Sequence, residues 1–154
     1  MKACTKCGAR NLAKTTHVYR RDFDGRSFLA ELAATRCGNC GELLVSGPAG
    51  MEADKAITLA LARSGEVGPQ GFRWLRRAAG LEAKRLAELL DVSAGTVSRW
   101  ENRKRALDRG AVALVCALAL QEEGETAGAL ELLEGLAAKR RPPRRVRLEL
   151  KHAS

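Results

Sequence analysis

Leu81-Glu82-Ala83-Lys84-Arg85-Leu86-Ala87-Glu88-Leu89-Leu90-Asp91-Val92-Ser93-Ala94-Gly95-Thr96-Val97-Ser98-Arg99-Trp100-Glu101-Asn102 decides the fold of this 154-residue chain. Two helical stretches, Glu82–Leu90 and Ala94–Asn102, flank the three-residue turn Asp91-Val92-Ser93. Helices joined so tightly must cross, and the crossing needs a small residue, supplied here by Ala87. Leu86, Leu90, Val92, Val97 and Trp100 stand where apolar side chains pin the second helix onto the first. Ser93 is placed to cap the second helix by accepting from the Thr96 N–H. The pattern predicts a helix-turn-helix.

The other face of the second helix carries Ser93, Ala94, Gly95, Thr96, Ser98, Arg99 and Asn102. In a helix-turn-helix that face enters the major groove of double-stranded DNA. Arg99 can then fork onto guanine O6 and N7, a contact worth about 1–3 kcal/mol of discrimination. Lys84, Arg85, Arg103, Lys104 and Arg105 flank the two helices and are expected on phosphates, which set register without reading sequence. A dimer is expected, because one such unit reads few bases.

Working outward, Gly71–Ala79 reads as a helix with Phe72, Leu75 and Ala79 inward, stopped by Gly80. Arg109–Glu122 is strongly apolar and helical, with Cys116 as a core residue, and Thr126–Lys139 gives a further helix. Ala111–Leu120 with Leu130, Leu132, Leu133 and Leu136 is the candidate dimer surface. The tail Arg140-Arg141-Pro142-Pro143-Arg144-Arg145 cannot be helical across its prolines. Beyond it, Val146, Leu148 and Leu150 alternate with charged residues as in a strand.

Toward the N-terminus stand Cys4-Thr5-Lys6-Cys7-Gly8 and Cys37-Gly38-Asn39-Cys40-Gly41, with 29 residues between Cys7 and Cys37. Each Cys-x-x-Cys turn aims two thiolates at one point, and two turns close a tetrahedron. With no open position, Cys4, Cys7, Cys37 and Cys40 are expected to hold one structural zinc ion; iron suits the same ligands. The glycine after each pair suits a left-handed backbone that turns N–H groups toward sulfur. Between the pairs, His17–Phe23 reads as a strand, Asp24-Gly25 as a hairpin turn and Arg26–Leu29 as the start of the return; Leu29–Leu32 is ambiguous, and Ala33–Arg36 leads a strand into the second knuckle. Ser46-Gly47-Pro48-Ala49-Gly50 reads as a break, and Glu52–Ser64 as a linker helix ended by Gly65.

The formal charge of +9 is unevenly placed. Residues 73–109 carry net +5, residues 110–138 net −5 and residues 139–154 net +6. Basic blocks split by an acidic helix suit nucleic-acid contact through defined surfaces. The basic tail suits either an arm along DNA phosphates or a strand in a dimer or partner contact. No apolar run has membrane length, and the N-terminus lacks a signal-peptide core, so a cytoplasmic protein is expected. Reduced thiols there favour metal over disulfides. No Ser/His/Asp set, phosphate-cradling loop or open metal position is present in the pattern, so an enzyme is not expected.

The expected fold is α+β. A four-cysteine zinc-binding β-hairpin domain occupies 1–50 and a linker helix and linker 51–69. An all-α helix-turn-helix domain fills 70–139, and the basic tail 140–154.

Leu75-Arg76, Gly80-Leu81, Leu86–Ser93 and Thr96–Asn102 resemble the Xre/Cro-type helix-turn-helix. Preceded by two Cys-x-x-Cys-Gly knuckles and a linker, the chain resembles the MqsA/YgiT-type antitoxins over roughly residues 1–120. The resemblance implies a zinc domain that binds a ribonuclease-type toxin. It implies a dimeric C-terminal domain that binds a palindromic operator and represses its own operon. It also implies that Arg99 reads a base and that Glu101 pairs with Arg76. A stand-alone Xre-family regulator with a structural zinc domain is the alternative. Gly95 stands where the family pattern has a polar base-contacting residue, and Ala83 where it has a phosphate-contacting glutamine.

Overall fold

The computed structural model describes residues 2–126, 132 and 143–150. The fold is α+β: an N-terminal β-hairpin bearing the cysteines, followed by helices that include the helix-turn-helix. The helix expected over 126–139, apart from Thr126 and Leu132, lies outside the described residues, as do Leu130, Leu133, Leu136, Arg140 and Arg141.

Strands β1 (Leu12–Phe23) and β2 (Arg26–Cys37) form the hairpin. Asp24 and Gly25 join them with φ of 55° and 73°, the doubly left-handed pair that matches the twist of two-residue hairpins. Both strands are longer than the sequence suggested. Ala30, Leu32 and Ala34 alternate with exposed Glu31 and Ala33, so the ambiguous segment after Leu29 continues β2. Strand β3 (Leu43–Val45) pairs antiparallel with β2, Ala34 opposite Val45 and Arg36 opposite Leu43.

A fourth strand, β4 (Arg145–Leu148), pairs parallel with β2, Ser27 opposite Arg145 and Ala30 opposite Leu148. The described part of the basic tail is therefore a strand of the chain's own sheet, placed beside β2. The pairing sets Val146 and Leu148 on the face of Phe28 and Ala30, which are 0% and 2% exposed. Arg145 and Arg147 fall on the opposite face with Ser27 and Leu29.

Helix α1 (Gly47–Ser64) begins five residues before the expected start. The Ser46 hydroxyl accepts from the Ala49 N–H at 3.3 Å, and Pro48 sits in the first turn, where its missing donor costs nothing. Ser-Gly-Pro here opens a helix instead of interrupting the chain.

Two compact units emerge, and neither is a simple half of the sequence. The first gathers residues 1–21, 27–56 and 145–154. Its core joins Ala30 and Leu32 of the sheet to Ala49 and Ala53 of α1, with Tyr19, Val45, Leu148 and Leu150 packed against them. Tyr19 donates to Asp54 at 2.5 Å beneath the Arg21 guanidinium. Burial and Asp54 push the Tyr19 phenol up to about 12. A second cluster sets Cys4, Cys37 and Leu44 against Ala9 and Leu12.

The other unit comprises 22–26 and 57–144. In it, α2 (Pro69–Ala78), α3 (Ala83–Leu89), α4 (Ala94–Glu101) and α5 (Arg109–Glu122) follow the end of α1. Helix α3 packs on α4, and α2 packs on both α4 and α5. Phe72, Leu75, Leu86, Val97 and Val115 are wholly buried, and Phe72 meets Trp100 edge to face at 6.0 Å. Each such apolar side chain contributes about 1.5–3 kcal/mol by leaving water. Among the described residues no helix is long and apolar enough to cross a membrane.

Candidate nucleic-acid interface and metal centre

The turn between α3 and α4 is built locally. Asp91 takes φ of 53°, and the Val92 N–H reaches back to the Ala87 carbonyl at 3.0 Å. Ala87 is 2% exposed at the crossing, where a larger side chain would push the helices apart. Ser93 caps α4 as expected, its Oγ accepting from the Thr96 N–H at 3.1 Å. Val97 and Trp100 bury one face of α4, which turns Ser93, Ala94, Gly95, Ser98, Arg99 and Asn102 outward. Thr96 alone of the expected interface residues is buried, at 6% exposure. Its Oγ1 lies 3.0 Å from Ser93 Oγ and accepts from Arg99 Nη2 at 3.3 Å. The Asn102 amide turns back onto Ser98, donating to its carbonyl at 2.8 Å.

Lys84, Arg85, Arg103, Lys104 and Arg105 are all exposed beside these helices. Arg85 pairs with Glu88 at 3.2 Å, an exposed contact worth less than about 1 kcal/mol that leaves the guanidinium free to exchange partners. Arg103 follows α4 with φ of 61°, and the Lys104 N–H donates to the Arg99 carbonyl at 2.9 Å. This is the Schellman closure of a helix, made with arginine where glycine is usual.

The Arg76–Glu101 pair implied by the resemblance is present. Arg76 Nε donates to Glu101 Oε1 at 2.6 Å and Nη2 to Oε2 at 3.3 Å, with both side chains 7% exposed. Arg76 Nη1 also donates to the Leu81 carbonyl at 2.6 Å, tying α2 to the entrance of α3.

Sequence reasoning missed Asp24. Helix α2 starts at Gly68 without a side-chain cap of its own. Asp24 supplies one from the hairpin turn, accepting from the Gln70 N–H at 3.0 Å and the Gly71 N–H at 2.6 Å. Gln70 Oε1 accepts in return from the Asp24 N–H at 2.8 Å, and Arg103 Nη2 lies 3.4 Å from Asp24 Oδ1. A Cβ on Gly68 would fall 2.4 Å from the Asp24 carboxyl carbon, so glycine there makes room for the cap. Phe23 stacks on Trp74 at 5.6 Å, and Trp74 donates to Thr58 at 3.0 Å. Only the Gly-Pro start of α2 hinted at an external partner.

The four cysteine sulfurs lie within 4.8 Å of one another, Cys4 3.7 Å from Cys40 and Cys7 3.6 Å from Cys37. Sulfurs 2.3 Å from a tetrahedral metal stand about 3.8 Å apart, and a disulfide needs about 2.05 Å. The spacing is that of a thiolate tetrahedron, and all four cysteines are free. The knuckles repeat one another. Gly8 and Gly41 have φ of 74° and 72°, and their N–H groups donate to Cys4 and Cys37 carbonyls at 2.9 Å. Cys4 and Cys37 N–H groups donate to Ala9 and Glu42 carbonyls, both at 2.9 Å.

The N–H groups that reach sulfur come one residue after each glycine, from Ala9 to Cys7 and from Glu42 to Cys40. The Ala9 N–H and the Asn39 amide hold the Cys7 thiol down to about 6. At Cys40 the Glu42 N–H acts in the same direction, but burial and the three neighbouring sulfurs push that thiol up to about 12. Four sulfurs this close ionise together only around a cation. The donor set therefore fits a metal ion, zinc being the typical choice. Cys116 is separate: buried in α5, its thiol is pushed up to about 12 and is inert.

Residues 71–128 match the family model described as a helix-turn-helix domain. No curated protein and no solved structure matches the chain. The fold and the match show a helix-turn-helix domain, which indicates a DNA-binding regulator. Its particular form adds a four-cysteine cluster suited to a metal ion.

Proposed function

We propose that this chain is the antitoxin and autorepressor of a type II toxin–antitoxin operon. In this reading α4 enters the major groove of a palindromic operator as part of a homodimer. Arg99 reads base edges there, with Ser93, Ala94, Gly95, Ser98 and Asn102 forming the remainder of the contact face and Thr96 beneath it. Lys84, Arg85, Arg103 and Lys104 hold phosphates. Cys4, Cys7, Cys37 and Cys40 hold one structural zinc ion, and the sheet they anchor binds a ribonuclease-type toxin. The observation that carries the reading is the pairing of a four-thiol tetrahedron with a capped, outward-facing helix-turn-helix in one chain.

The test has two arms. The full chain is titrated against the DNA upstream of its own reading frame, and it is co-expressed with the product of the adjacent frame. Nanomolar binding to an inverted repeat, together with a stable complex that silences a ribonuclease, is the expected result. Operator binding without any such complex leaves a stand-alone regulator, and no preference for the upstream DNA removes both readings.

A further inference from the structure

Arg99 is held in place before any DNA arrives. Long side chains on a helix lean toward its N-terminus, over the turn that precedes their own Cα. For Arg99 that turn contains Gly95 and Thr96, four and three residues back, on the same face. Thr96 Oγ1 accepts from Arg99 Nη2 at 3.3 Å, and Thr96 is itself fixed by burial and by Ser93 Oγ at 3.0 Å. A Cβ built on Gly95 would touch Arg99 Nη1 at 3.4 Å and Cζ at 3.9 Å. A methyl group fits at those distances; a longer side chain extended toward Arg99 would take the space its guanidinium occupies.

We propose that Gly95 and Thr96 are the specificity-determining pair of α4, fixing Arg99 over the first turn so that one arginine supplies the base preference. The N-terminal turn is the part of a recognition helix that meets base edges. A planar fork parked there suits the O6 and N7 acceptors of guanine. Neither Gly95 nor Thr96 need touch a base; Thr96 acts as a positioning residue through Arg99, and Gly95 by leaving its side empty. The inference rests on the DNA-reading role proposed above and is independent of any toxin.

The experiment selects duplexes from a randomised pool with the full chain, and compares guanine enrichment with affinity for non-specific DNA. The unaltered protein should enrich one guanine per half-site, and Arg99→Ala should abolish that enrichment. Thr96→Val, close in volume, should keep the fold by circular dichroism, and each variant's preference is scored relative to its own non-specific affinity. The guanine preference of Thr96→Val should fall roughly three- to tenfold. Gly95→Gln should lose or relocate the preference. Full guanine preference in both Thr96→Val and Gly95→Gln would overturn the inference alone. An unaltered protein without sequence preference would overturn the regulatory reading as well.

Discussion

Arg103 shows most sharply what a single residue can reveal. It holds a left-handed backbone, φ 61°, where a helix ordinarily ends on glycine. That conformation costs a residue with a Cβ about 1–2 kcal/mol. Its exposed link to Asp24 is too screened to offset the cost. Arg103→Gly should therefore raise stability by up to about 1 kcal/mol, read as a higher urea midpoint with unchanged slope. If Arg103 holds a phosphate, the same change should weaken DNA binding uniformly across sequences and flatten its salt dependence by about one phosphate. Greater stability with an unchanged salt slope would remove Arg103 from the interface. Nothing in the local sequence Asn102-Arg103-Lys104 announces the strain, because it follows from where α4 must stop.

Among the elements, helices α3, α4 and α5 were legible almost to the residue. Their apolar spacing and the cap at Ser93 are local signals; in the structure Asp108 also caps α5, accepting from the Ala111 N–H at 2.8 Å. The hairpin turn was legible for the same reason. Strand β4 was not anticipated as a partner of β2, since that pairing brings together residues over a hundred apart, as in Phe28 and Val146; β3 pairs locally, but its three residues are too short to carry an alternation. The ion pair between α2 and α4 behaves as one element-level joint. Glu101→Ala would leave Arg76 buried and without its carboxylate, and should cost about 3–5 kcal/mol in chemical denaturation. The double change Arg76→Met with Glu101→Leu should recover much of that loss. A single-variant cost below about 1 kcal/mol would show that the pair is dispensable.

At the scale of the molecule, the four-cysteine cluster and the helix-turn-helix were both readable as motifs. Cys37 is 1% exposed and sits between the sulfur cluster and Leu44. If the four thiolates hold zinc as proposed, chelation or Cys37→Ser should release one ion per chain and abolish the ordered amide signals of β2 and β3. A structural zinc site contributes about 10–16 kcal/mol of apparent binding energy, more than so small a core supplies alone. The α2–α5 signals should persist through that loss. Retention of the metal in the Cys37→Ser protein would mean that fewer than four thiolates hold it.

The hairpin turn also bears on how the chain can be dissected. Asp22–Arg26 belongs with residues 57–144, so the helix-turn-helix cannot be excised by a single cut. A fragment that starts at Ile57 leaves behind the Asp24 carboxylate on the first turn of α2 and the Phe23 ring against Trp74. Such a fragment should melt below the parent protein even though every helix of the motif is intact. Swapping this regulator's reading head onto another protein would require grafting the loop as well as the helices, and shuffling by simple fusion would yield a weakened product.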